Sequence, residues 1–147
     1  MTKHMTDADI IRIGGLAIRF LQDRHGTKGA LDLFEMTVQP GAAMPVAHHH
    51  ETWDETVYGL YGTTTWRIAG QDVFVGPGQS VFIPRGVVHG FRNDGDAEAT
   101  SLNLLTPGVL GPEYFRELAA LADAPTRNPV AMRLVMTRYG LVPSVRG

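Results

Sequence analysis

The sequence predicts an all-β domain followed by two helices, and three observations carry that reading. The 17 glycines and 9 prolines fall as punctuation between short apolar runs. About eight such runs recur, with turns every eight to twelve residues, which is the spacing of a sandwich or barrel. Beyond residue 107 the apolar period changes from that of a strand to that of a helix.

Taken in order, Leu16 to Leu21 reads as a strand and the polar stretch Asp23 to Gly29 as a turn. Leu31 to Val38 is the next strand, stopped by Pro40-Gly41. Thr56 to Tyr61 is rich in β-formers, and Thr63 to Ile68 follows after a single Gly62. Gly70-Gln71 turns the chain into Asp72 to Val75. Gly76-Pro77-Gly78 breaks that run before Ser80 to Ile83. Val87 to Arg92 and Thr100 to Leu105 complete the series. In Gly111 to Asp123, Tyr114, Phe115, Leu118, Leu121 and Ala122 recur at helical spacing, with Pro112 suited to a first turn. A second helix starts at the cap Asn128-Pro129 and runs to about Tyr139, with Gly140 as its C-cap. The expected organisation is an N-terminal extension over 1–13, a barrel over 14–106 and a helical appendage over 107–147. The appendage either covers one end or edge of the barrel or serves a dimer contact.

Composition excludes several functions. Apolar residues make up 44% and charged residues 19%, as in a folded globular chain. Thirteen basic and fifteen acidic residues give a net charge of −2, and no basic stripe is present to neutralise phosphates, so no nucleic acid is expected. No apolar stretch reaches the ~18 residues of a membrane span. The N-terminus lacks the apolar segment of a secretory signal, and cysteine is absent. A cytoplasmic address is the expectation, without thiolate metal sites.

The chemistry concentrates in the histidines. His48, His49 and His50 are consecutive, with Glu51, Asp54 and Glu55 just after. In an extended segment His48 and His50 project together while His49 points away. Such an HxH pair offers two imidazoles to one ion. Imidazole with carboxylate suits Fe, Mn, Ni or Zn, and the residues alone do not choose. His89 follows a Pro-Arg-Gly turn and shares its face with Phe91 and Asn93. Alone, a histidine on an apolar face is more often structural than a ligand.

Together the two stretches resemble the two motifs of the cupin superfamily. The first motif, G-x5-H-x-H-x3-4-E-x6-G, appears here as Gly41, six residues, His48-x-His50, four residues, Glu55, six residues and Gly62. It departs by one extra residue after Gly41. The second, G-x5-P-x-G-x2-H-x3-N, is matched throughout by Gly78, Pro84, Gly86, His89 and Asn93. The resemblance spans about Gly14 to Thr106. It implies a double-stranded β-helix, or jelly-roll barrel, of the RmlC-like cupin type. It also implies one divalent metal ion (Fe, Mn, Ni or Zn) held by His48, His50, Glu55 and His89. Glu51 and Asp54 are the local rivals of Glu55; Glu51, directly after His50, faces the other way in a strand.

This ligand set resembles that of cupin dioxygenases, quercetinase-like proteins included. The expectation is a metal-dependent enzyme of oxidoreductase, dioxygenase-like type acting on a small organic molecule. The alternatives are a non-catalytic binding or sensing cupin and a metal-dependent isomerase or decarboxylase. Trp53, Tyr58, Trp66, Phe82 and Phe91 are candidate pocket walls. Tyr58 and Asn93 are candidate partners that orient a ligand. Arg67 receives an anionic group only if it points inward, against the commoner solvated arrangement. Leu16, Ile18 and Phe20 form an apolar strand face that, left exposed, gives a motive for a homodimer.

Overall fold

Alternation along the strands decides what this chain buries. Asp32–Val38 hides every second side chain, and Ala99–Thr106 does the same. The structure, a computed structural model, describes residues 9–44, 46–126 and 128–144. Residues 1–8 of the expected N-terminal extension and 145–147 of the expected appendage lie outside the described residues.

The strands are β1 (Ile11–Ile13), β2 (Leu16–Gln22), β3 (Asp32–Val38), β4 (His48–His50), β5 (Asp54–Tyr61), β6 (Thr64–Ile68), β7 (Gln71–Val75), β8 (Ser80–Ile83), β9 (His89–Arg92) and β10 (Ala99–Thr106). Helices α1 (Gly111–Ala122) and α2 (Pro129–Arg138) follow, and β11 (Leu141–Pro143) is the last described element. Two antiparallel sheets result, in the orders β1-β2-β3-β10-β5-β8 and β11-β4-β9-β6-β7. From β3 to β6 and again from β7 to β10 the chain alternates between the two sheets, as in a jelly-roll barrel. Ile18, Phe34, Val38, Val57, Trp66, Ile83 and Leu105 fill the interior. Close passage requires glycine at residue 59, where a Cβ would stand 2.1 Å from the Gly76 carbonyl oxygen.

Two elements escape the sequence patterns. β1 and β11 are three residues each, too short to show a period. β11 returns from the helices to pair with β4, setting Leu141 opposite His50 and Pro143 opposite His48. The segment after residue 107 therefore contributes a strand to the sheet that carries the histidines.

The expected exposed face of the N-terminal strand is overturned. Leu16, Ile18 and Phe20 are all buried. Phe20 meets the Phe34 and Phe115 rings at centroid distances of 5.0 and 5.8 Å, so α1 covers this face. That apolar stripe supplies no motive for pairing two copies.

Helix α1 is held by charge as well as by packing. The buried Asp32 carboxylate accepts hydrogen bonds from the backbone N–H groups of Val109, Leu110 and Gly111 at 3.1, 3.1 and 3.2 Å. Its other oxygen accepts from Arg24 N at 2.9 Å. An anion at a helix N-terminus satisfies donors that lack partners within the helix. Glu113 adds a clamp from the first turn, paired with His25 and 3.7 Å from Arg24. Helix α2 starts at Asn128, whose side chain accepts from Ala131 N at 3.0 Å.

Candidate metal centre

Strand register assembles the site. His48 on β4 pairs directly with His89 on β9, so both rings project from one face into the barrel. His50 lies two residues along β4 on that same face. All three are buried, and their ligand nitrogens lie within 4.8 Å of one another. Glu55 reaches in from β5 of the other sheet, its Oε1 standing 3.4 Å from His50 Nε2 and 3.6 Å from His89 Nε2.

Backbone carbonyls fix how the rings are presented. His48 Nδ1 donates to Val46 O at 3.2 Å, His50 Nδ1 to Trp53 O at 2.9 Å and His89 Nδ1 to Val87 O at 2.9 Å. A carbonyl can only accept, so each Nδ1 carries the proton and a neutral ring presents its Nε2 lone pair. Trp53 stacks on His50 with ring centroids 4.5 Å apart and planes tilted by 13°. Gly140, with φ of +94°, lets the chain after α2 pass the Trp53 ring, where a Cβ would lie 3.3 Å from its nearest atom.

These residues fit a divalent cation. The Nε2 atoms of His50 and His89 are buried with no hydrogen-bond partner. Their contacts with Glu55 are too long to be good hydrogen bonds, and such isolation of polar atoms is costly unless an ion completes the set. Imidazole–metal bonds of about 2.1 Å hold nitrogens ~3–4 Å apart, so the three rings, whose ligand atoms lie within 4.8 Å of one another, need close in only slightly on an ion. Burial pushes the His48 ring down, helped by the charge of His89, to about 3, so it stays neutral and able to ligate. Burial would raise the Glu55 carboxyl, but the His50 and His89 rings outweigh it and hold the group well below the usual carboxylate range. Burial likewise opposes charge on His89, yet Glu55 and then the Val87 carbonyl move that ring above its ordinary value.

The remaining candidates separate cleanly. His49 points away and sits 3.4 Å from Glu51, which is exposed. Asp54 is taken by Arg85, accepting from its Nε and NH2 at 3.2 and 3.1 Å. Arg67 faces solvent and pairs with Asp72 at 3.3 Å. Trp53 and Phe91 line the interior cavity, and Trp66 is buried against Phe91 and His89. Tyr58 and Phe82 do not serve as walls, because both lie on outward strand positions and are exposed. Tyr58 is an odd number of residues from Glu55, which places it on the opposite face of β5. Asn93 is buried, but its amide donates to Val38 O and Ala97 O, each at 2.9 Å, and accepts from Gly95 N. Those bonds pin the β9–β10 turn; none reaches a histidine.

The side chain that does orient a site residue is Asn103. Its Nδ2 donates to Glu55 Oε2 at 3.1 Å, and its Oδ1 accepts from Ser101 Oγ at 2.8 Å. All three groups are buried. The signal in the sequence was a pair of polar residues, Ser101 and Asn103, at alternate positions of the strand Ala99–Thr106.

A cavity of about 90 Å³ adjoins the site. Its far wall comes from α1 and α2, through Leu110, Tyr114, Phe115, Leu118, Met132 and Met136. The C-terminal helices thus close the pocket side of the barrel.

Residues 34–105 match the model of the Cupin_2 cupin domain family. The chain belongs to the cupin superfamily. Over 73 residues this cupin is 36% identical to a quercetin 2,3-dioxygenase of Bacillus subtilis, an alignment covering 50% of this chain and 21% of that one. It therefore spans about a fifth of that relative's length. Among solved structures it is similar to the polyketide cyclase RemF of Streptomyces resistomycificus, with TM-score 0.61 and 28% identity over 72% of this chain and 80% of that one. A predicted oxalate decarboxylase from Thermotoga maritima shares the fold at TM-score 0.59 and 22% identity, covering 63% of this cupin and 80% of that chain. No helix among the described residues is long and apolar enough to cross a membrane.

Proposed function

We propose that this cupin is a metalloenzyme with dioxygenase-like oxidoreductase chemistry, acting on a small organic molecule at a site formed by His48, His50, His89 and Glu55. The observation that carries the proposal is the convergence of three Nε2 atoms, with every Nδ1 committed to a carbonyl, beside a buried carboxylate. Three imidazoles and one carboxylate suit Fe, Mn, Ni or Zn, and such an ion supplies redox or Lewis-acid chemistry at positions left open to substrate. The likeness to a quercetin 2,3-dioxygenase supports the oxygen-using version.

The chain's own residues have distinct parts. His48, buried and neutral, is a ligand that does not compete for protons. Glu55 supplies the negative charge and holds it through Asn103. The apolar walls exclude water from the reacting end of the cavity. A second reading, a small-molecule-binding cupin without turnover, has one observation in its favour. Beyond the ligands, Tyr114 is the only titratable side chain among the described residues that line the cavity.

Oxygen uptake by iron-loaded protein over a panel of oxygenated aromatics, diketones and keto acids decides between them. Substrate-dependent uptake that disappears in His89→Ala supports the enzyme. Saturable binding without uptake or product supports the binding module.

A further inference from the structure

The cavity wall opposite the histidines is built without positive charge. Ile18, Phe34, Met36 and Leu105 enter from the barrel, while Leu118 and Met132 face them from the helices. No lysine or arginine is among the described lining residues, although the chain has 13 basic residues. The polar groups that reach the cavity cluster at its other end. There His48, His50 and Glu55 line it, and Asn103 is already engaged by Glu55 and Ser101. At the helical wall the Tyr114 hydroxyl is the one hydrogen-bonding side chain among the described lining residues.

We propose that the cavity admits a small, apolar-bodied molecule whose polar atoms all lie at the metal end, and excludes molecules bearing an anionic group at the helical end. This rests on the metal-centre reading and names the substrate class for it. A carboxylate or phosphate buried against that wall meets no cation, and one neutral phenol does not offset the loss of its hydration. An apolar ring or chain there gains contact with leucine, phenylalanine and methionine. Four methionines border the space, and their unbranched thioethers adapt to differently shaped guests.

The test uses two probes with the same donor pair, 4-methylcatechol and 3,4-dihydroxybenzoate, titrated by calorimetry into the full chain. Both zinc-loaded and chelator-treated protein are used, because zinc is redox-silent and the preference belongs to the walls. The methyl compound is expected to bind at least tenfold more tightly in each form. Met132→Lys, which sets a cation at the half-buried edge of the wall, is expected to erase or reverse that ratio. Circular dichroism checks that the variant folds; where it does not, the wild-type ratio alone decides. Equal affinities, preference for the carboxylate, or binding of neither probe to either form overturns the inference. Failure to hold zinc, with the methyl preference retained, instead overturns the metal reading and leaves the pocket class standing.

Discussion

His48 and His89 lie 41 positions apart in the chain yet sit directly opposite each other where β4 pairs with β9. Their ring centroids are 4.9 Å apart. The pairing register, more than any loop, sets the distance between these two ligands. A change that shifts β4 by one residue would turn His49 inward and His48 and His50 outward.

Replacement of either histidine by alanine therefore removes a ligand and leaves the barrel in place. His48→Ala and His89→Ala are each expected to lower zinc affinity at least about 100-fold, more than loss of a supporting group does. Far-ultraviolet circular dichroism should remain that of the parent. Equilibrium competition with a chromogenic chelator reads the affinity.

Asn103 acts on Glu55 and touches none of the histidines in the hydrogen-bond network. Asn103→Ala frees one carboxylate oxygen and leaves the Ser101 hydroxyl without its buried acceptor. A weakening of metal affinity by roughly 10- to 100-fold is expected. Asn103→Asp places a second carboxylate beside Glu55 and should shift the pH dependence of zinc binding, which a merely structural role would not do. The same chelator competition across pH 5.5 to 8 checks both, ranges that are about those in which histidine sites titrate.

Asp32 joins the start of β3 to the start of α1. Asp32→Ala strands four backbone donors that now have a buried anionic acceptor, and a loss of about 2–4 kcal/mol follows. Urea unfolding measures it. Since α1 forms part of the cavity wall, probe binding should weaken together with stability.

Glu113 gives the helix clamp an acid limit. Burial alone would raise this carboxyl, but its own backbone N–H, His25 and Arg24 hold it below its ordinary value of 4.5. A depressed carboxyl contributes stability that is complete above the unfolded value and lost as pH falls through the folded one. The wild type's advantage over Glu113→Gln should thus be full at neutral pH and shrink below about pH 4.5. Urea midpoints of the two proteins at neutral and acid pH give the comparison.

What the sequence made legible follows the range of the interactions concerned. The His48-x-His50 pair needs only strand alternation, and the helix starting at Asn128 needs only a cap and a proline. Tyr58 illustrates a parity available but unused: three residues from Glu55 along one strand means the opposite face. Ser101 and Asn103 were harder, because alternate polar residues in Thr100 to Leu105 ordinarily mark a solvent face. Only pairing of β10 between β3 and β5 shows that this face looks inward. The same holds for Leu16, Ile18 and Phe20. Their amphipathic pattern is local, but the element that covers them, Phe115 of α1, lies about a hundred residues away. Asp32 gave no local sign at all, since its partners are backbone groups around residue 110.

The central claim is that His48, His50, His89 and Glu55 hold one divalent ion. Elemental analysis of protein purified without added metal or chelator, beside a His48→Ala/His89→Ala variant, tests it most directly. Near one equivalent of iron, manganese, nickel or zinc per chain, absent from the variant, is the predicted result. No metal in either protein, or equal metal in both, would contradict it.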